Sequence, residues 1–432
     1  MKTYEEQLND IQLEKKAWVQ TVNRHFETMP TPNWLDGSSI KRGVSVIVAS
    51  HDSEELLRAC LASLEAQTIH ASLIEWVLVF NGPNREALRA VSESFGRDVD
   101  VVRLEVEEAN VSIARNQGID ASTRQYVTFL DEDDTFSPTY VERLFEQALP
   151  NRIVIADIQD RSPSGEALPS PLHREFERLT GQETTYEQMS QLLTLNACKL
   201  VPAVYAKQVR YEPTLRSGED VVYFSTLFST YTPEVKILPS ETDAIYYRQV
   251  RERSVSRQAV SQDFSVDQRL SVIKRLDAIP TKEASVRRFI ERKIDAQTSM
   301  MSLFYETVPE QRDHIRTLVR EAALRYFSFS ILNQHAAERG IVIGERLERI
   351  GALMTEFPDD LVIRVYLMEP YTRQELRSHV TDEQFERLTF ANMSLPNWSI
   401  LPEVCYSSGD VRAVALCTEH HLGVKSYSVP SR

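Results

Sequence analysis

The chain is poor in the features that mark several common functions. It has four cysteines, Cys60, Cys198, Cys405 and Cys417, scattered with no C-x-x-C spacing. That argues against a disulfide framework or a zinc module and reads as reduced, mostly packed thiols. No block of basic residues occurs, and the formal net charge is −14. A binder of nucleic-acid phosphate needs the opposite field, so no nucleic-acid partner is expected. No apolar run approaches the length of a membrane span. The first ten residues are polar and lack the apolar stretch of a secretory signal. These features lead us to expect a cytoplasmic protein, with peripheral contact at the inner face of the membrane left open. No internal repeat is visible.

What the chain does have is an acidic run in an unusual place. Val127-Thr128-Phe129-Leu130 reads as a buried strand and passes directly into Asp131-Glu132-Asp133-Asp134. Carboxylates this close repel, and a strand end has no dipole to relieve them. They call for a cation, an arginine or open water. A hard divalent ion suits them, because Mg²⁺ and Mn²⁺ take carboxylate oxygen and keep positions open for phosphate. A plain solvated turn would look the same in isolation.

The surroundings decide between those readings. At 432 residues the chain should hold two or three domains. Residues 1–29 look helical, and Pro30, Pro32 and Gly37 mark a linker. Strands are expected at Val44–Val48, Trp76–Phe80, Val99–Leu104 and Tyr126–Leu130. Helices are expected from Leu57 to Leu64, with Asp52 and Glu55 as a capping box, and from Ser112 to Ala121. This β-α-β-α-β order predicts a doubly wound parallel sheet, which binds ligands beyond the carboxyl ends of its strands. His51, Asn81 and the acid run all fall at such ends. Residues 160–190, rich in Pro, Ser, Gly, Glu and Thr, read as a loop over the site. From about Ser285 to Phe357 helical spacing dominates, with Ile290, Ile294, Met301 and Phe304 on one face, Ile315, Leu318, Val319 and Ala322 on another, and Leu347, Ile350 and Met354 on a third. A further helix is expected over Asp382–Phe390, and Val411–Leu416 and Val424–Val429 look β-rich.

Several segments together resemble the family 2 glycosyltransferases of the GT-A fold. Val44–Asp52 resembles their first strand and loop. Asn110-Val111-Ser112-Ile113-Ala114-Arg115-Asn116-Gln117-Gly118 is similar to their N-x-G/S-x-A-R-N-x-G segment. Phe129–Asp134 is similar to their D-x-D element, Gly218-Glu219-Asp220 to the Gly-Glu-Asp that carries the base, and Tyr246-Tyr247-Arg248 with Ser254-Val255-Ser256 to the closing segment. The resemblance spans residues 44–257. It implies an α/β, Rossmann-like nucleotide-diphospho-sugar transferase domain at 41–260. An N-terminal helix and linker would occupy 1–40, and a mainly helical region with a β-rich tail 261–432.

By that resemblance the reaction is an inverting, metal-dependent transfer. A nucleotide-diphosphate sugar is the donor, a UDP-sugar first among them, and a hydroxyl of a cell-envelope glycan or glycolipid is the acceptor. Asp133 and Asp131 would bind Mn²⁺ or Mg²⁺, with Asp134 in support. Asp220 would act as base, and Glu219 would orient it or hold the acceptor. Ala49, His51, Asn81, Arg115, Asn116, Asp131, Arg248 and Ser254 would line the donor, with Arg251 beside them. Helix capping by Glu219 and Asp220, and a salt bridge from Arg115 to Asp131, are the structural alternatives. Lys199 would lie near the site or only pack its stem. The pattern also departs from the family. Asn81-Gly82-Pro83 stands where an acidic pair usually meets the base, and His51 where a tyrosine usually stacks. His420 and His421 read as surface. A homo-oligomer through the C-terminal region is open. The rival readings are a catalytically degenerate scaffold and a nucleotidyltransferase. The loop Ala49–Glu54, acidic and without glycine, disfavours the second.

Overall fold

The computed structural model describes residues 40–250, 261–281, 283–322 and 324, and four short strands beyond them. Expectations for residues 1–39, Arg251, Ser254, Leu347, Ile350, Met354, His420, His421 and the two tail strands lie outside the described residues. The chain divides into two compact units, Met1–Gln258 with Ile279–Phe289, and Ala259–Ala278 with Ile290–Arg432.

The first unit opens with β1 (Lys41–Ser50), α1 (Glu54–Glu65), β2 (Ile74–Asn81), α2 (Arg85–Ser92), β3 (Asp100–Val106), α3 (Val111–Ala121) and β4 (Arg124–Asp131). These strands pair in parallel in the order β3-β2-β1-β4, as a chain of β-α-β units requires. Gly43–Val48 and all of β2 are buried. That is why both read as unbroken apolar runs rather than alternating ones. The α1 face of Leu57, Cys60, Leu61 and Leu64 is buried as its spacing predicts. Its cap differs from expectation: Ser53, not Asp52, accepts the Leu56 amide, at 3.3 Å.

Then come β5 (Thr135–Phe136), α4 (Tyr140–Glu146), β6 (Arg152–Ile155), β7 (Asp157–Arg161), α5 (Pro171–Leu179), α6 (Ser190–Leu193), β8 (Lys199–Pro202), α7 (Ala203–Ala206), α8 (Glu219–Tyr231), β9 (Glu234–Ile237) and β10 (Ile245–Gln249). Strands β8, β6 and β9 extend the main sheet beyond β4, and β5-β10-β7 form a second, smaller sheet. The segment 160–190 is not the open loop expected. Ser170 Oγ accepts the His173 amide at 3.3 Å, Pro171 sits at the first position of α5, and Phe176 and Leu179 are buried beneath it. A helix this short leaves too few apolar positions for its period to show.

Helices α9 (Gln268–Ala278), α10 (Ala284–Thr307), whose residues from Ile290 on belong to the second unit, and α11 (Arg312–Ala322) include the expected faces. Ile290, Ile294, Met301, Phe304, Ile315 and Val319 are all buried. The four further strands are β11 (Phe327–Ser330), β12 (Leu361–Val365), β13 (Leu388–Phe390) and β14 (Glu403–Tyr406), ordered β11-β14-β12-β13. Two expectations are corrected here: Phe327–Ser330 interrupts the stretch read as helical, and Leu388–Phe390 pairs with Ile363–Val365 instead of ending a helix.

Candidate active site

The carboxyl ends of β1, β2 and β4 meet as the parallel sheet requires. Ala49 lies level with Val79 on one side and Asp131 on the other. The chain turns immediately after Asp131, whose carbonyl accepts the Asp134 amide at 3.0 Å. The four acids of this turn then diverge in role.

Glu132 is buried. It accepts the Ser50 hydroxyl at 2.7 Å, the His51 amide at 3.0 Å and the Asp52 amide at 2.9 Å. Asp134 is buried as well. It accepts the Tyr246 hydroxyl and the Gln249 amide, each at 2.8 Å. The same Tyr246 oxygen accepts the Asp131 amide at 3.2 Å. Glu132 thus fastens the turn to the loop after β1, and Asp134 fastens it to β10. Burial, then the charges of Asp133 and Asp131, push the Asp134 carboxyl well above the usual range, and its hydrogen bonds pull the other way. Asp131 and Asp133 are the part-exposed pair.

Helix α3 begins where the Asn110 side chain accepts the Ser112 and Ile113 amides at 3.0 and 3.2 Å. It carries Arg115, whose side chain is 7% exposed and donates to Asp131 Oδ1 and Glu219 Oε1, each at 2.8 Å. Burial disfavours this guanidinium, but Asp131 and Glu219 outweigh that and hold it charged. Its plane lies over the Tyr211 ring at 5.4 Å, and Tyr211 stacks on Tyr223 at 3.9 Å. The salt bridge from Arg115 to Asp131 is present, and the same guanidinium extends it to Glu219, a bridge from the acid turn to the start of α8. Asn116 differs from expectation: both ends of its amide bond the Tyr211 backbone, each at 2.9 Å, so it positions Tyr211 instead of facing a ligand.

At the start of α8, Gly218 has φ 77°, a left-handed turn that glycine adopts without strain. Glu219 and Asp220 follow in the first turn, where the helix dipole favours negative charge. Burial, then Glu219, push Asp220 up to about 7, while Arg115, the Val221 amide and Lys199 pull it down. A carboxylate titrating near neutrality suits a base that must take a hydroxyl proton. Lys199 is fully buried. It donates to the carbonyls of Leu195 and Ala197 and lies 4.5 Å from the Phe224 ring centre. Burial lowers it to about 8, and Cys198 and Asp220 act against that. Its field reaches Asp220, so more than its stem matters.

His51 is exposed, with Nδ1 3.2 Å from the Asn81 carbonyl. Gly82, at φ 82°, leaves room for that ring: a Cβ there would lie 2.7 Å from Nδ1. Asn81 is buried and its Nδ2 donates to the Ser50 carbonyl at 2.9 Å, which fixes the neighbouring strand ends. Arg248 is held by Asp160 through two bonds of 2.7 and 2.9 Å from Nε and one terminal nitrogen, a fork-on-carboxylate grip. Three residues to which the sequence assigned no role belong to the site. Glu132 and Tyr246 shape the acid turn. Asn196 donates to Asp131 at 3.3 Å and accepts the Tyr211 hydroxyl at 2.7 Å. Glu132, Asn196 and Tyr246 sit inside the motif segments, but nothing in their spacing announces these contacts.

Among the described residues no group of three or more His, Cys, Asp or Glu side chains is placed to hold a metal ion. A structural cage is therefore absent from them. The part-exposed pair Asp131 and Asp133 still fits an Mg²⁺-type ion, which is commonly held by one or two carboxylates together with substrate phosphates.

Residues 45–200 match the profile of glycosyl transferase family 2. Glycosyltransferase GlyA of Streptococcus pneumoniae is 34% identical over 113 residues, 26% of this chain and 16% of that protein. The poly(ribitol-phosphate) beta-glucosyltransferase of Bacillus spizizenii is 23% identical over 208 residues, 47% of this chain and 32% of that protein. The matched part thus spans less than half the length of these curated relatives. The structure of S. aureus TarS 1–349 in complex with UDP-GlcNAc superposes with a TM-score of 0.52 at 18% identity, over 65% of this chain and 80% of that one. Residues 45–200 thus resemble glycosyl transferase family 2, and the fold is the GT-A fold. No helix among the described residues is long and apolar enough to cross a membrane.

Proposed function

We propose that this chain is a metal-dependent, inverting glycosyltransferase acting from a nucleotide-diphosphate sugar, a UDP-sugar foremost, onto a hydroxyl of a cell-envelope glycan. One observation carries the reading: Arg115 joins Asp131, at the end of β4, to Glu219, at the start of α8, through two 2.8 Å ion pairs. Two segments 88 residues apart in sequence, each matching a different part of the resemblance, are thereby brought together around one buried cation.

Asp131 and Asp133 would hold Mn²⁺ or Mg²⁺, which when bound neutralises charge developing on the departing diphosphate. Arg115 aims Asp131 while also holding Glu219. Asp220 takes the acceptor proton as its oxygen attacks the anomeric carbon. One displacement on the face opposite the leaving group inverts that carbon, so no covalent sugar–enzyme bond is needed. Ala49, His51 and the Asn81 strand end form the nucleoside side, with His51 presenting its ring. The cell-envelope acceptor follows the poly(ribitol-phosphate) glucosyltransferase likeness and rests on that analogy.

The test is a thermal-shift panel of UDP-, GDP-, CDP- and TDP-sugars, with and without Mn²⁺, on wild type and Asp133→Ala. A ligand that binds only the folded chain raises the midpoint by mass action. We expect a metal-dependent shift with one nucleotide class, absent in the variant. No shift with any donor would favour a degenerate scaffold instead.

A further inference from the structure

In α/β nucleotide-binding folds, the loop after the first strand ordinarily offers its backbone amides to phosphate, helped by the helix that follows. Here that loop is Ser50-His51-Asp52-Ser53, leading into α1. Two of its amides are already taken. Glu132 reaches across from the acid turn, and its buried carboxylate accepts His51 N, Asp52 N and the Ser50 hydroxyl at 3.0, 2.9 and 2.7 Å. A carboxylate bridging two successive amides fills the same kind of concavity that a phosphate would occupy. Asp52, Glu54 and Glu55 add negative charge around it.

We propose that Glu132 is a resident anion in the loop after β1, a specificity-determining residue that bars the diphosphate from the His51 and Asp52 amides and leaves it to a cation held at Asp131 and Asp133. The inference rests on the glycosyltransferase reading of the site. It gives a reason for metal dependence: the two loop amides that would otherwise take a phosphate oxygen are filled from within. The loop is then left to the nucleoside, through His51 and the Asn81 strand end.

The experiment is isothermal titration of inorganic pyrophosphate into the full chain without metal. Wild type, Glu132→Ala and Glu132→Gln are compared, with melting curves confirming that each is folded. We expect wild type to bind pyrophosphate weakly or not at all. Glu132→Ala should bind it at least about tenfold more tightly, the effect of freeing charge-assisted hydrogen-bond donors. Glu132→Gln, which loses the charge but keeps one acceptor oxygen, should gain less, and it carries the test if the alanine variant does not fold. Unchanged metal-free affinity in the folded variants would overturn the proposal. Titration of UDP with Mn²⁺ into Asp133→Ala separates the two ideas. If that variant keeps full metal-dependent binding, the metal reading fails, while the pyrophosphate comparison still decides the role of Glu132.

Discussion

The two ends of the parallel sheet carry polar networks of opposite character. At the amino end, the buried Glu75 accepts the Ser45 hydroxyl at 2.5 Å, the Thr123 hydroxyl at 2.6 Å and the Thr123 amide at 2.9 Å. Beside it Arg124 donates to the carbonyls of Arg42, Ser72 and Ile74 and to Asp100. Both Glu75 oxygens are taken by protein donors, and the network ties β1, β2, β3 and β4 to one another. At the carboxyl end, Arg115 pairs with Asp131 and Glu219, and its field and that of Lys199 reach Asp220. There Asp134 and Asp220 are both held above the ordinary carboxylate range by burial and by like charges. Buried polar groups that find all their partners stabilise a fold, whereas those left short mark a place where a ligand must complete them. The same strands thus end on one side in a carboxylate saturated by protein donors, Glu75, and on the other in carboxylates raised by burial and by one another.

Substitutions should separate the two ends. The largest effect is expected from Asp133→Ala, which should lower turnover about a thousandfold at any Mn²⁺ concentration with the melting temperature little changed. Donor-hydrolysis or transfer assays across a metal series check this, and wild-type turnover in the variant would erase the contrast. Glu75→Gln should do the reverse. Placing an amide donor against the Ser45 and Thr123 donors should cost about 2 kcal/mol of stability while turnover per folded molecule stays within about twofold. Urea unfolding with activity normalised to the folded fraction reads both quantities. The smallest effect is expected from Tyr246→Phe, which removes one oxygen shared by the Asp131 amide and Asp134. We expect the Mn²⁺ concentration for half-maximal activity to rise about tenfold with kcat nearly intact, the sign of a positioning role. An equal fall in kcat at all metal concentrations would assign Tyr246 to another function.

Much of the first unit was legible in sequence because burial on both faces leaves unbroken β-prone runs, as in Val44–Val48 and Trp76–Phe80, and helical spacing marks α1 and α3. The candidate site was visible in sequence as acids after β4, two more at the start of α8 and an arginine in α3. Side-chain direction within a turn was not. No periodicity says that Glu132 points back to the β1 loop while Asp131 and Asp133 stay part-exposed. Nor could sequence bring Tyr246 to Asp134, a contact closed across 112 positions by pairing of β10 with β5. Asn116 and Arg248 were read as ligand contacts from motif position alone. In the fold the Asn116 amide bonds the Tyr211 backbone and Arg248 Nε and one terminal nitrogen bond Asp160, partners that motif position does not reveal. The α5 helix was missed because nine residues with two buried positions give no visible period.

The most direct test of the central claim, that the carboxyl end gives up stability for chemistry, is to measure turnover and melting temperature of Asp220→Asn on the same samples from pH 4 to pH 8. Asp220 is raised from its ordinary 3.8 to about 7 in the fold. The stability it lends is therefore present below about pH 4 and lost as pH rises through 7. Its activity as a base follows the opposite course, falling as pH drops through 7. The account predicts that the asparagine variant binds donor with Mn²⁺ as wild type does, loses turnover by about a thousandfold, and melts higher than wild type at pH 8, with the difference vanishing near pH 4. Retained turnover, or a lower melting temperature at pH 8, would contradict it.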